Sequence, residues 1–548
     1  MKAGFRQSMA WLHTWVGLVV GWVLFFVFAM GTAGYFRVEI TDWMQPELPV
    51  KSAPAVQDDN ALAELAMKRL EAMAPVAASW RITLPRERTG GRGWQDFSIR
   101  WEEMPQPGRD DGASVSERLD PVTGAVRPSD PEPRETYGGN GLYAMHYALH
   151  YLPYNWAYRL VGICTMLMLL AIISGIITHK KIIRDFFTFR PGKGQRSWLD
   201  AHNVVSVMAL PFFLMITYSG LLFFSIDYMP AGRAVLYGTD EQSIDRYYDE
   251  LYEEDGKHAA IGRPATPLAP LIAQADAAWG KGKLGSIVIE RHVGEEPEII
   301  LTRVAPGVSV YSPPHLRFNA DNGARLSPEP EAGGSSVATQ NLFFNLHEGQ
   351  WADFWGRWLY FAAGLLGCGM IGTGLVLWTV KRRRRHLTEG READEHFGMR
   401  LVEVLNVATI AGLPLAVAGF FWSNRLLPLA MAERAEWELN VLFAIWLGSL
   451  FYALGRPLRR AWIELLWAAA AAFLLIPLIN ALTTPRHLLT SISQGDWVFA
   501  GFDLTMIGLG AAIAWVAVKV TRRLSPRPAS TSAEPAPAAA ASLQESKA

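Results

Sequence analysis

Cysteine is almost absent from this chain: two residues in 548, Cys164 and Cys368. Both fall inside apolar runs. They cannot build a disulfide framework or a cysteine-rich metal site, and they read as small packing residues. Net charge is equally scarce. Fifty-one Lys and Arg against 52 Asp and Glu leave −1, which gives no support to a polyanionic partner, so no nucleic acid is expected. Nucleotide motifs are missing too. Gly367-Cys-Gly369-Met-Ile-Gly372 matches G-x-G-x-x-G, but it lies within an apolar run with no preceding strand and is not a dinucleotide fingerprint. There is no G-x-x-x-x-G-K-[ST]. Neither an NAD(P)H or flavin domain nor an ATPase is expected, so any electrons would come from the quinone pool or from another protein.

What the chain has in abundance is apolar length. About 20 such residues span a bilayer. Thr14–Phe36, Leu160–Thr178, Asn203–Ile226 and Trp358–Val380 qualify, followed by Val404–Asn424, Leu439–Gly455, Leu465–Pro485 and Trp497–Val518. The first run is too long for the core of a signal peptide and has no clear small-x-small cleavage site, so it is expected as a retained helix. Lysines and arginines cluster before helix 1 (Lys2, Arg6), between helices 2 and 3 (Lys180 to Arg196), after helix 4 (Lys381 to Arg385), between helices 6 and 7 (Arg456 to Arg460) and after helix 8 (Arg522, Arg523). With eight spans all five segments fall on one side. The positive-inside rule then places both termini in the cytoplasm.

Two long segments, residues 37–156 and 227–345, lie between these spans on the opposite side. Each reads as a small α+β unit. In the first, Ala61–Met73 has helical spacing, with strands around Trp80–Leu84, Asp96–Trp101 and Ser114–Leu119. In the second, Leu268–Trp279 reads as helix and Gly285–Glu290, Glu298–Arg303 and Val308–Tyr311 as strands. Asp120-Pro-Val-Thr-Gly124 and Asn319-Ala-Asp-Asn-Gly323 are turns with glycine where positive φ is wanted. Gly124 and Gly323 are 199 residues apart, as are Gly175 and Gly374. The shared offset argues for a duplication of helix, domain and helix. The remaining divisions are helix 1 (1–36), helices 2 and 3 with their basic loop (157–226), helix 4 (346–385), a four-helix extension (386–523) and a Pro/Ala/Ser-rich tail (524–548) expected to be disordered.

Six of the 12 histidines stand near the ends of these spans. His13, His179 and His202 are on one side; His146, His150 and His347 are on the other. An ionisable residue at membrane depth is costly without a partner and marks function by default. Haem b iron takes two axial imidazoles, supplied in a bundle by facing helices. From His150 to His179 is 29 residues, about 43 Å if helical, more than the roughly 30 Å hydrocarbon core. These two cannot share a haem, and two sites in series are expected. The favoured pairs are His13 with His202 and His150 with His347, with His179 and His146 in reserve. Gly31, Gly34, Gly175, Gly220 and Gly374 are candidates for close approach of a porphyrin or for helix packing. His258, His292 and His315 in the second outer segment read as scattered exposed histidines.

Trp11-Leu-His13-Thr-Trp-Val-Gly17, Leu199-Asp-Ala-His202-Asn, Leu346-His347-Glu-Gly349, Trp355-Gly-Arg-Trp358 and Thr373-Gly374-Leu-Val-Leu-Trp378 together resemble the helices of the PepSY-associated transmembrane family. The Asp120-Pro-x-Thr-Gly124 turn is similar to that of PepSY domains. The resemblance covers about residues 1–385. Asn203-Val-Val-Ser206 lacks the glycine that follows the third-helix histidine, and Asn319 replaces the first Asp of the second turn. The resemblance implies an α-helical polytopic protein of the bacterial inner membrane, with two periplasmic PepSY-like α+β domains inserted after helices 1 and 3. It also implies a ferric siderophore or other ferric chelate as substrate. The expected function is a haem-dependent oxidoreductase with two b haems, passing electrons from a quinol or protein donor to the periplasmic chelate and releasing Fe(II). The partners are then that chelate, the donor and membrane lipid. Rival readings are a non-enzymatic PepSY peptide-binding or regulatory protein and a siderophore or iron permease.

Overall fold

A computed structural model describes residues 3–49, 58–87, 94–105, 112–127, 131–179, 181–240, 242–252, 258–304, 313–326, 335–388 and 397–524. The expected strand Val308–Tyr311 and the tail after Leu524 lie outside the described residues.

Helix α1 (Ala3–Gly34) crosses the bundle, and α2 (Arg37–Met44) leads out of it. Then come α3 (Asp59–Met73), β1 (Ser79–Thr83), the short pair β2 (Arg86–Glu87) and β3 (Trp94–Gln95), β4 (Ser98–Glu102) and β5 (Ser114–Arg118). The chain returns through α4 (Gly138–Ala148) to α5 (Tyr154–Thr178), the short α6 (Ile182–Phe186), α7 (Gln195–Met208) and α8 (Leu210–Phe223). Three small helices, α9 (Ser225–Tyr228), α10 (Ala231–Tyr237) and α11 (Ser243–Tyr252), precede α12 (Leu268–Trp279) and strands β6 (Leu284–Glu290), β7 (Glu298–Arg303) and β8 (His315–Asn319). Helix α13 (Ser335–Glu348) then leads into α14 (Phe354–Thr388). The second half of that list repeats the first.

Among the described residues, seven helices are long and apolar enough to cross a membrane. An eighth span exists if α7 and α8, bent by 66° at Ala209–Leu210, are counted together. The bend has a local cause. Pro211 has no N–H to donate, and its ring collides with the carbonyl four residues back, so the helix restarts with Pro211 in its first turn.

The two outer segments do not make two separate domains. Their strands join one six-stranded antiparallel sheet, ordered β5-β4-β1-β6-β7-β8. Strand β1 of the first half pairs with β6 of the second, with Trp80 opposite Ile289 and Ile82 opposite Ile287. Each half alone would present a bare strand edge, and joining the halves removes both. One core follows. Leu62, Ala66 and Leu70 from α3 and Leu271, Ile272 and Ala275 from α12 pack with Trp80, Ile99, Ile287, Ile299, Leu316 and Phe318. The two turns are near copies. Asp120 Oδ1 accepts the N–H groups of Val122 and Thr123 at 3.0 and 2.8 Å. Asn319 Oδ1 accepts those of Asp321 and Asn322 at 2.9 and 3.1 Å.

The extension comprises α15 (Phe397–Val407), a π-turn over Ala408–Gly412, α16 (Leu413–Leu426), α17 (Arg434–Gly455), α18 (Leu458–Thr483), the short α19 (Leu488–Gln494) and α20 (Trp497–Leu524). It shares an apolar core with the first part: Phe25, Phe26 and Met30 of α1 belong to the same cluster as Phe420, Leu442, Phe473 and Phe499. Buried polar groups add to the join. Asn406 accepts Trp22 Nε1–H at 2.9 Å and donates to the Leu375 carbonyl. Asp503 accepts Trp43 Nε1–H at 3.1 Å and an Asn480 amide proton at 3.2 Å. Arg434 and Glu438, one turn apart on α17, form a fully buried ion pair.

Candidate functional site: two facing histidine pairs

At the N-terminal end of α1, His13 faces His202 of α7 with ring centres 6.2 Å apart. At the other end, beside the segments leading to the sheet, His146 of α4 faces His347 of α13 at 6.0 Å. Two imidazoles bound on opposite sides of one first-row metal at about 2 Å per bond have ring centres about 6 Å apart. Both pairs have that spacing.

The rings are held the same way in all four cases. His13 Nδ1 lies 2.8 Å from the Ala171 carbonyl, His202 Nδ1 3.0 Å from that of Met370, and His146 Nδ1 2.7 Å from that of Val27. His347 Nδ1 lies 3.1 Å from Ser219 Oγ and bonds the backbone of Ile216. A carbonyl can only accept, so Nδ1 must carry the proton. Ser219 spends its own proton on the Met215 carbonyl, so it too accepts from the ring. The tautomer is thereby fixed, and each Nε2 is left unprotonated with its lone pair available. This is the arrangement of a metal-bound imidazole oriented by its other nitrogen.

Each bonded carbonyl lies four residues before a glycine, and the imidazole rests on that glycine. A methyl group at Gly31 would lie 2.6 Å from His146, at Gly220 2.8 Å from His347, at Gly175 3.0 Å from His13, and at Gly374 3.2 Å from His202. The glycines are seats for the rings. On α1, His13 and Gly31 are 18 residues apart, five full turns, so they share a face about 27 Å apart along the axis. His202 and Gly220 have the same spacing.

The other two histidines of the sequence reading are turned elsewhere. His150 was expected opposite His347; the structure puts His146 there. An i, i+4 pair shares a face only while the helix continues. Helix α4 stops at Ala148, and Leu149 and His150 take φ of 50° and 21°. The His150 ring is thereby swung toward the extension, with Nε2 2.8 Å from Glu436 and its plane stacked on Phe443. His179 caps α5, and its Nε2 accepts from the Asn203 side chain at 2.8 Å.

A cavity of about 370 Å³ opens at the His146–His347 pair. Leu24, Val27, Phe28, Val161, Phe212 and Phe223 line its apolar walls, while Arg37, Tyr143 and Gln350 supply polar groups. Flat rings with free Nε2 lone pairs, glycine seats and a largely apolar cavity fit a porphyrin: Arg37 is a cation for its acidic side chains, and Glu348 on the same wall is engaged by the Tyr143 hydroxyl and the Gln350 amide. A hydrated ion would need more polar ligands.

The sequence pattern of the PepSY-associated TM region matches residues 10–381. The chain belongs to this family. All four paired histidines and their four glycines lie inside the matched span, while α15 to α20 lie beyond it. The chain is also similar to Uncharacterized protein PA4219 of Pseudomonas aeruginosa, 25% identical over 384 residues that cover 65% of this chain and 90% of that protein.

Proposed function

We propose that this PepSY-associated membrane protein carries electrons across the inner membrane on two b haems and delivers them to a ferric chelate, such as a ferric siderophore, on the side of the sheet domain. One observation carries the reading: two half-buried histidine pairs of metal-spanning separation, each ring oriented through Nδ1 and seated on glycine, stand at opposite ends of the same helix. His13 with His202, and His146 with His347, would hold the haems. Bound there, each haem supplies a one-electron iron couple, and two in series supply a path through the hydrocarbon.

The chain's own residues prepare that path. Ala171, Met370, Val27 and Ile216 hold the imidazole protons in place by their backbone. Leu18, Leu24, Phe25 and Phe213, all buried, exclude water between the pairs. Arg37 offers a cation to the acidic edge of a ligand in the adjoining cavity. The chelate needs no general acid, base or nucleophile: Fe(II) carries less charge than Fe(III) and is held more weakly by hard oxygen ligands. The donor is a quinol or a protein on the opposite side.

Proteoliposomes containing the purified chain, loaded with a reduced quinol and given an external ferric hydroxamate and an Fe(II) indicator, test this. Fe(II) should form only when donor, chain and chelate are all present, and His13→Ala or His347→Ala should remove at least about 90% of the rate, a tenfold loss or more. Equal rates in both variants and the unaltered chain would contradict the reading.

A further inference from the structure

Away from the bundle, the sheet domain brings together three residues that the sequence leaves scattered. His258 and His292 face each other across an isolated antiparallel bridge. The Ala259 N–H donates to the Arg291 carbonyl at 2.7 Å and fixes the register. Glu290 ends β6, and with His292 two residues on, extended chain puts both side chains on one face. The two rings stack with centres 4.9 Å apart, and Glu290 Oε1 lies 3.9 Å from His292 Nε2.

Two further facts distinguish this cluster from a chance meeting of surface groups. One potential ligand atom from each of the three residues lies within 4.8 Å of the other two. The Nδ1 atoms of both His258 and His292 are buried with no hydrogen-bond partner among the described residues. A buried polar atom left unpaired is costly, and a bound cation is one partner that would satisfy a ring nitrogen.

We propose that His258, Glu290 and His292 form a binding site for one divalent first-row transition-metal ion. Two imidazoles and a carboxylate select the borderline ions, Fe(II), Co(II), Ni(II) and Zn(II), over Ca²⁺ and Mg²⁺, which want oxygen alone. Ligands around a tetrahedral ion with bonds of 2.0–2.1 Å are about 3.3 Å apart. Side-chain rotation within the cluster closes the difference, and water fills the remaining positions. The site is independent of the haem reading. If the outer-face reaction releases Fe(II), which rests on that reading, the product belongs to the class of ion this site takes.

The test uses the full-length detergent-purified chain, stripped of loosely bound metal and titrated with Co(II), whose visible absorption reports tetrahedral imidazole ligation. One equivalent should bind and be displaced by one equivalent of Zn(II). His258→Ala and His292→Ala should each weaken binding by at least about 10- to 100-fold, with Glu290→Gln a smaller loss, while the Soret spectrum stays the same. Glu290→Gln, isosteric and at a half-exposed position, guards against loss of folding in the histidine variants. No Co(II) binding tighter than millimolar, or equal binding in the chain and all three variants, would overturn the proposal. A normal Co(II) titration in a chain without haem would separate this site's fate from that of the electron-transfer reading.

Discussion

The imidazole of His146 rests directly on the backbone of Gly31, so close that a methyl group there would lie 2.6 Å from its Nδ1. The same contact recurs between His347 on α13 and Gly220 on α8. A histidine that depends on a missing Cβ is tied to one position on one helix, and this leads to a direct test.

Gly31→Ala and Gly220→Ala should push their rings out of place and lower haem content from two toward one per chain. Gly17→Ala, on the same helix with open space around it, should keep both. Pyridine haemochrome measured against protein concentration reads the difference. Equal content in all three variants would show that the glycines are no seats.

His146 and His150 should behave differently despite their i, i+4 spacing. His146→Ala should remove one haem. His150→Ala should keep both and lose only its contact with Glu436, a partly exposed pair of the kind that contributes about 1 kcal/mol or less. The reverse outcome would restore His150 as the ligand.

The seam between β1 and β6 makes the sheet one folding unit. Ile287→Ala, at a fully buried seam position, should cost about 2–5 kcal/mol and expose both outer segments to protease together. Cleavage confined to residues 227–345 would mean that the halves fold separately.

The buried Arg434–Glu438 pair should be more sensitive to losing one partner than both. Glu438→Gln leaves an uncompensated guanidinium and should destabilise by about 3–5 kcal/mol, whereas Arg434→Met with Glu438→Leu should recover much of that. Thermal unfolding in detergent distinguishes the two. A double variant less stable than either single one would contradict this account.

Asp120 gives a pH test outside the membrane. The N–H groups of Thr123 and Val122 and the Thr123 hydroxyl hold its carboxyl below the usual range. A depressed folded value means that its contribution is complete above the unfolded value of about 3.9. It fades as the pH falls through the lower folded value. Asp120→Asn, which copies Asn319 in the matching turn, should flatten that acid-side loss while leaving stability at pH 7 nearly unchanged. Identical unfolding profiles for both proteins between pH 5 and 2 would count against it.

Much of this was legible in the sequence because periodicity and spacing carry it. Apolar runs mark the spans, with Asn203–Ile226 appearing as the bent pair α7–α8. The 199-residue offset maps α4 onto α13 and α5 onto α14. A second offset of 189 residues links His13 to His202 and Gly31 to Gly220; it differs from 199, so the two halves do not align on a single register. Choosing between His146 and His150 was beyond local reasoning. Nothing short of the packed chain shows that Leu149 ends α4 in a left-handed turn. The shared sheet and the meeting of His258 with His292 were hidden for a related reason: both depend on pairings between residues distant in sequence, which no local pattern encodes.

The central claim is that the four paired histidines hold two b haems. The most direct measurement is a reduced-minus-oxidised visible spectrum of the purified chain with haem quantitation, repeated for His13→Ala/His202→Ala and His146→Ala/His347→Ala double variants. The account predicts a b-type α-band with about two haems per chain and about one in each double variant. A chain that stays colourless after expression with added haem, or one whose haem content is untouched by both double variants, would contradict it.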